Sequence, residues 1–261
     1  MRGRGILLGA LSIATLVFLL APIAVLVLSA FDGGKFFRFP PREVSLRWFV
    51  AAYESAEYRR SLANSGIVAA LSTAASLVLG TMAAHALVRG GLRRTALVEA
   101  VLIAPLTLPL IVWAIALLQI YARLGVSGSL GGLVLAHTVV TLPLVVRIMM
   151  ATLAQIDPSL ELAARSLGAR PLRAAARTTL PLAMPGLLSA GAFAFLASFN
   201  DVIVSTFIAG AGWNTFPVRL YSQLRGQGVD PITMAIGAVI VVAILTLVLL
   251  GEAVFKWSRK L

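Results

Sequence analysis

The chain has 261 residues, 59% of them hydrophobic and 12% charged, and a formal net charge of +12; its mean hydropathy is +0.96. That balance excludes an ordinary soluble domain and places the chain in the lipid bilayer. The absence of cysteine excludes disulfides and thiolate metal sites.

Six stretches reach the roughly 20 apolar residues that cross a bilayer core: residues 6–30, 61–87, 96–121, 130–151, 182–209 and 232–255. They predict an all-α, polytopic membrane protein, one domain over 1–261, with both termini on the same side. The first stretch follows Arg2 and Arg4 but is longer than the roughly 7 to 15 apolar residues of a secretory signal, so it reads as a retained span. The long loop 31–60 carries Lys35, Arg38, Arg42, Arg47, Arg59 and Arg60 beside Asp32, Glu43, Glu54 and Glu57. Its aromatics Trp48, Phe49 and Tyr53 suit an interfacial belt, with a surface for a delivering protein as the alternative. Trp213, Arg219, Tyr221 and Arg225 pose the same choice later in the chain.

Arg89, Arg93 and Arg94 follow the second span, and the glycine-rich run at 125–132 follows the third. That run comes after a membrane helix and not after a strand, so it reads as a tight outer turn and not as a phosphate cradle. Pro22, Pro105, Pro109, Pro143 and Pro185 each predict a kink or a helix end.

Between the fourth and fifth spans lies the polar segment 157–181, DPSLELAARSLGARPLRAAARTTLP. Asp157 is a good N-cap, Pro158 suits the first helical position, and Gly168 suits the position just past a helix end. A short amphipathic helix is therefore expected, with Leu160, Ala163, Ala164 and Leu167 on one face and Glu161, Leu162, Arg165 and Ser166 on the other. Pro171 opens a second one. The pair reads as a docking platform for another protein.

In the fifth span Gly186, Ala190, Ala194 and Ser198 recur every four residues, a small-residue stripe that lets another helix approach closely. On a continuous helix Asp201 falls in the middle of that arc and Ser205 near its edge. A carboxylate at membrane depth costs at least about 2.5 kcal/mol unless compensated. Asp201 is thus either a buried structural partner near Asn200, or it lines the route of a cationic solute, with Asn200 and Ser205 as neighbours.

Arg2, Arg4, Arg89, Arg93, Arg94, Arg165, Arg170, Arg173, Arg177, Lys256, Arg259 and Lys260 all fall on one side, which is then the cytosol. The net charge is mostly this topological bias, and nucleic acid is not an expected partner. The chain carries no G-x-x-x-x-G-K-[ST], H-E-x-x-H or G-x-S-x-G, so no catalytic residue and no metal site are expected. His85 and His137 lie in different spans and read as satisfied interhelical hydrogen-bonding groups.

The spacing of Ala163-Ala164, Gly168 and Leu180-Pro181 resembles the EAA loop of permease subunits in type I ATP-binding-cassette importers. The run at 198–210, SFNDVIVSTFIAG, is similar to the matching segment of the spermidine/putrescine branch, and the resemblance extends over nearly the whole chain. It implies six spans in the type I permease fold, with 157–181 as the coupling loop. Glu161, Leu162, Ala163, Ala164, Arg165 and Gly168 become the ATPase-coupling residues. The family's Glu directly before the alanine pair is Leu162 here, and Glu161 stands one residue earlier, turned by about 100°. The resemblance further implies a bacterial inner-membrane location, a dimeric ATPase carrying the ATP and Mg, and a second permease that is a different chain. It also implies an extracytoplasmic substrate-binding protein and a polyamine cargo, with ferric iron, opines, phosphonates or other small solutes as alternatives. An ion-coupled transporter or channel that needs no ATPase is the reading from another class.

Overall fold

The computed structural model describes residues 2–35, 38–91, 93–226, 228 and 230–255. The side chains of Arg2 and Arg4, and the cluster Lys256, Arg259 and Lys260, lie outside the described set. The described residues are α-helical apart from turns and one isolated bridge, Asp32 to Val44. In chain order come α1 (Arg2–Ser29), α2 (Arg47–Glu54), α3 (Ala56–Arg89), α4 (Thr95–Thr107), α5 (Leu110–Leu124) and α6 (Leu130–Ala154). There follow α7 (Ser159–Ser166), α8 (Pro171–Ala174), a π-helical turn (Ala175–Thr179), α9 (Leu180–Leu182), α10 (Met184–Phe199), α11 (Ile203–Ile208), α12 (Phe216–Gly226) and α13 (Pro231–Phe255).

Among the described residues, three helices are single apolar segments long enough to cross a bilayer: Leu8–Ser29 within α1, α3, and α6. The predicted third and fifth spans are not straight helices. Thr95–Thr107 and Leu110–Leu124 meet at 102°. Pro109 explains the break, because the residue before a proline is pushed out of the helical region and Leu108 is extended at φ −96°, ψ 146°. Pro171–Leu182 meets Met184–Phe199 at 75°, with Pro185 in the first turn of α10. A further interruption at 200–202 separates α10 from α11. Pro22, Pro105 and Pro143 are accommodated inside α1, α4 and α6.

Contacts group the chain into two compact units, Arg60–Arg219 and Met1–Arg59 with Leu220–Leu261. In the first, two apolar clusters sit at different levels of the bundle. One gathers Val68, Ala114, Leu117, Tyr121, Leu133, Ala136, Val204 and Ile208. The other gathers Ala84, Val145, Met149, Leu153, Ala183, Ala190 and Ala194. Near the junction of these clusters α3, α6 and α10–α11 bury polar side chains: Ser72 and Ser76, His137 and Thr141, then Ser198 and Ser205. Hydrogen bonds join them, which is the only way such groups can sit at membrane depth without a large penalty. Ser76 and Thr141 hydroxyls lie 2.7 Å apart, and Ser72 donates to Ser198 at 3.0 Å.

At the far end of this unit, the Asn64 amide donates to the carbonyls of Gly212 and Asn214. The Phe216 amide donates to the Ser65 hydroxyl at 2.8 Å. The glycine-rich run forms a tight turn. Gly125 and Gly128 hold φ of 68° and 74°, the left-handed region that suits glycine, and the Gly128 amide donates to the Ile208 carbonyl.

In the second unit α13 packs on α1 and α2. Asp32 is buried and accepts the Arg42 amide, and the Trp48 indole donates to the Gly34 carbonyl at 3.0 Å. Trp48 and Phe49 are half-buried against their own loop, whereas Tyr53 is exposed.

Candidate functional site

The segment 157–168 folds as its local signals direct, whereas the second helix, opened by Pro171, has four residues and runs into the π-helical turn Ala175–Thr179. The Asp157 carboxylate accepts the Ser159 amide at 2.8 Å, and that bond holds its pKa below the usual carboxylate range. The helix begins at Ser159 with Pro158 just before it, one residue later than predicted. It ends in a Schellman motif: Ala169 N–H donates to Ala164 C=O, Gly168 N–H donates to Arg165 C=O, and Gly168 takes φ 89°.

The two faces of α7 differ from the wheel. Leu162 is 57% exposed and Leu167 is 90% exposed, and Leu160, Ala163, Arg165, Ser166 and Gly168 are exposed with them. Ala164 is half-buried. The wheel puts Glu161 on the same face as Leu162, but Glu161 turns inward while Leu162 stays exposed. Its Oε2 accepts Arg89 Nη1 at 3.2 Å and the Thr179 hydroxyl at 2.9 Å, and His85 Nε2 lies 3.9 Å from its Oε1. Arg89 also donates to the Ile156 carbonyl at 2.9 Å, in the turn that ends α6. Leucine cannot satisfy that cation, which is the physical reason the carboxylate of α7 points in and Leu162 points out.

The stripe of α10 lies against α6. Ala190, Ala194 and Ser198 are buried, and a Cβ on Gly186 would run into the Thr152 side chain of α6. Asp201 does not continue that stripe on a helical wheel, because α10 stops at Phe199. It caps α11 instead: its carboxylate accepts the Ser205 amide at 2.8 Å and the Val204 amide at 3.3 Å. Its side chain is 8% exposed, and Oδ2 stands 3.7 Å from His137 Nε2.

His137 bridges the interruption. Its Nδ1 shares a 2.7 Å hydrogen bond with Ser198 and its Nε2 a 3.0 Å bond with Ser205, one hydroxyl on each side of the break. Asn200 is exposed, and its amide donates to the Leu196 carbonyl. A cleft of about 540 Å³ opens here, walled by the α4–α5 break at Pro105, Leu106 and Leu108, by Val140 and Leu144 of α6, and by Asn200, Asp201 and Val202. The structure thus brings Ser198, Asp201 and Ser205 together around His137, and sets Asn200 at the mouth. Arg89, Thr179 and His137 were not among the sequence-derived site residues. By sequence Arg89 reads only as positive charge, although its place at the end of a span opposite a carboxylate-bearing loop is a usable signal.

Comparison with known proteins gives this geometry a context. Residues 76–260 match the family described as binding-protein-dependent transport system inner membrane component. The chain is 28% identical over 260 residues to the spermidine/putrescine transport system permease protein PotC of Escherichia coli K12, covering 100% of this chain and 97% of that one. It is 32% identical over 248 residues to the putrescine transport system permease protein PotI of the same strain, covering 90% and 88%. Among solved structures it resembles a bacterial ABC transporter involved in the import of the acidic polysaccharide alginate, with a TM-score of 0.74 at 18% identity over 98% of this chain and 96% of that one. The last likeness concerns the fold alone, and it agrees with an all-α, multi-helix membrane architecture. The chain belongs to the inner-membrane component family of binding-protein-dependent transport systems: it is a multi-pass permease subunit of an ABC importer, a transport protein and not an enzyme.

Proposed function

We propose that this chain passes a polyamine of the putrescine or spermidine type inward, sharing the pathway with a second permease that is a different chain. One observation carries the reading: two interrupted helices converge on a cleft whose polar groups, Asn200 and Asp201, stand in otherwise apolar walls. Broken membrane helices with converging polar groups are how transporters build solute sites at depth. Asp201 supplies negative charge there, and the names of the PotC and PotI relatives point to the same cargo.

In this reading the whole chain acts as one permease domain, with 157–181 as its coupling loop. A dimeric ATPase seats on α7, where Leu160, Leu162, Ala163, Arg165 and Leu167 face outward. ATP and Mg reside on that ATPase and this chain binds no cofactor. A substrate-binding protein delivers cargo on the opposite side. Both termini and the coupling loop lie in the cytosol in this reading, which the concentration of Arg at 89–94 and 165–177 supports. The test is reconstitution of the four components in proteoliposomes with labelled putrescine and spermidine. ATP-dependent accumulation that needs the binding protein is expected; uptake by this chain alone would favour a secondary transporter.

A further inference from the structure

The inward contacts of Glu161 have no place in docking. Glu161 is on α7, Arg89 is the last residue of α3, and Thr179 closes the π-helical turn that leads into α9. The Arg89 and Glu161 side chains are 11% and 14% exposed, so their ion pair is largely shielded from water. Arg89 reaches the Ile156 carbonyl with Nη2 while Nη1 holds the carboxylate. One guanidinium therefore ties α3 to the end of α6 and to α7, and the carboxylate adds the segment that enters α10. His85, also on α3, is the remaining titratable group facing Glu161.

We infer that Glu161 and Arg89 form a joint that makes the coupling helix, α3 and the end of α6 move as one body. The ATPase pushes on the outward residues of α7, and the inward pair carries that displacement to the membrane helices. Glu161 is then a positioning residue and not a docking residue. The inference rests on the reading that an ATPase seats on α7. An ion pair strengthened by a backbone carbonyl and a hydroxyl in a shielded site resists opening more than an exposed one does, which is what a rigid joint needs.

The chain has no cysteine, so Val78→Cys on α3 and Ser166→Cys on α7 can carry a single pair of spin labels. Both positions are exposed, and Val78 lies about 16 Å along α3 from Arg89 at 1.5 Å per residue. In the complete complex, the distance between the labels is expected to be the same with and without a non-hydrolysable ATP analogue. Adding Glu161→Gln or Arg89→Gln should leave the nucleotide-free distance in place, make it shift when nucleotide binds, and lower uptake per ATP at least fivefold. Arg89→Lys should behave closer to the parent. A nucleotide-dependent distance in the labelled parent, or a distance in both Gln variants that ignores nucleotide, overturns the joint. A variant that is disordered without nucleotide assigns the pair to folding and also overturns it. If the ATPase fails to co-purify with the unlabelled wild-type chain, the docking reading falls and takes the joint with it; co-purification with any overturning distance result removes the joint alone.

Discussion

Replacing Asp201 separates its two candidate roles. In the structure the carboxylate accepts two amides of α11, the Ser205 bond at 2.8 Å and the Val204 bond at 3.3 Å. Asn can keep its oxygen on the shorter bond, but it loses the longer one and the charge that favours a helix N-terminus. Hydrogen bonds to a charged acceptor contribute about 1.5–3 kcal/mol against about 1 kcal/mol for neutral ones. Asp201→Asn should therefore weaken α11 by roughly 1–2 kcal/mol, or about 5- to 30-fold in its opening equilibrium. Asp201→Ala removes both bonds and leaves two amides unsatisfied beside buried Val204 and Ser205; the expected loss is roughly 3 kcal/mol or more, above about 100-fold. Hydrogen exchange of residues 199–210 in lipid nanodiscs reads these factors directly. Wild-type protection of the Val204 and Ser205 amides in Asp201→Ala would refute the capping argument. Uptake that falls further than the loss of protection explains would place Asp201 on the cargo route as well.

Leu162→Asp should abolish co-purification with the ATPase while membrane insertion stays normal. Burying the exposed part of this leucine contributes about 1–2 kcal/mol and an unpaired carboxylate adds a penalty; unchanged capture would remove Leu162 from the interface. Gly186→Val should push α10 away from Thr152 of α6, costing about 1–3 kcal/mol and lowering the thermal midpoint in detergent; a midpoint equal to wild type would contradict the close approach. For topology, an impermeant thiol reagent on intact cells should label Val44→Cys, which is 84% exposed, and spare Ser166→Cys. The reverse pattern would invert the orientation.

Hydropathy alone determined that this chain is a bundle of membrane helices, because a backbone in lipid must satisfy its own hydrogen bonds and only long apolar helices do so here. Local chemistry determined the short helix α7 too. An aspartate before it and a glycine after it act on amides and carbonyls within a few residues, so their effect does not depend on the rest of the fold. The four-residue spacing of Gly186, Ala190, Ala194 and Ser198 marked the face of α10 that meets α6. What the sequence left open were choices set by distant partners. Glu161 turned inward because Arg89, 72 positions away in the chain, is there to receive it. Asp201 became a cap because α10 ends at Phe199, where His137 of α6 draws Ser198 and Ser205 together across the break. A helical wheel assumes an unbroken helix and sees one segment at a time. Whether a buried charge finds a neighbour is decided by which helices the tertiary structure packs around it.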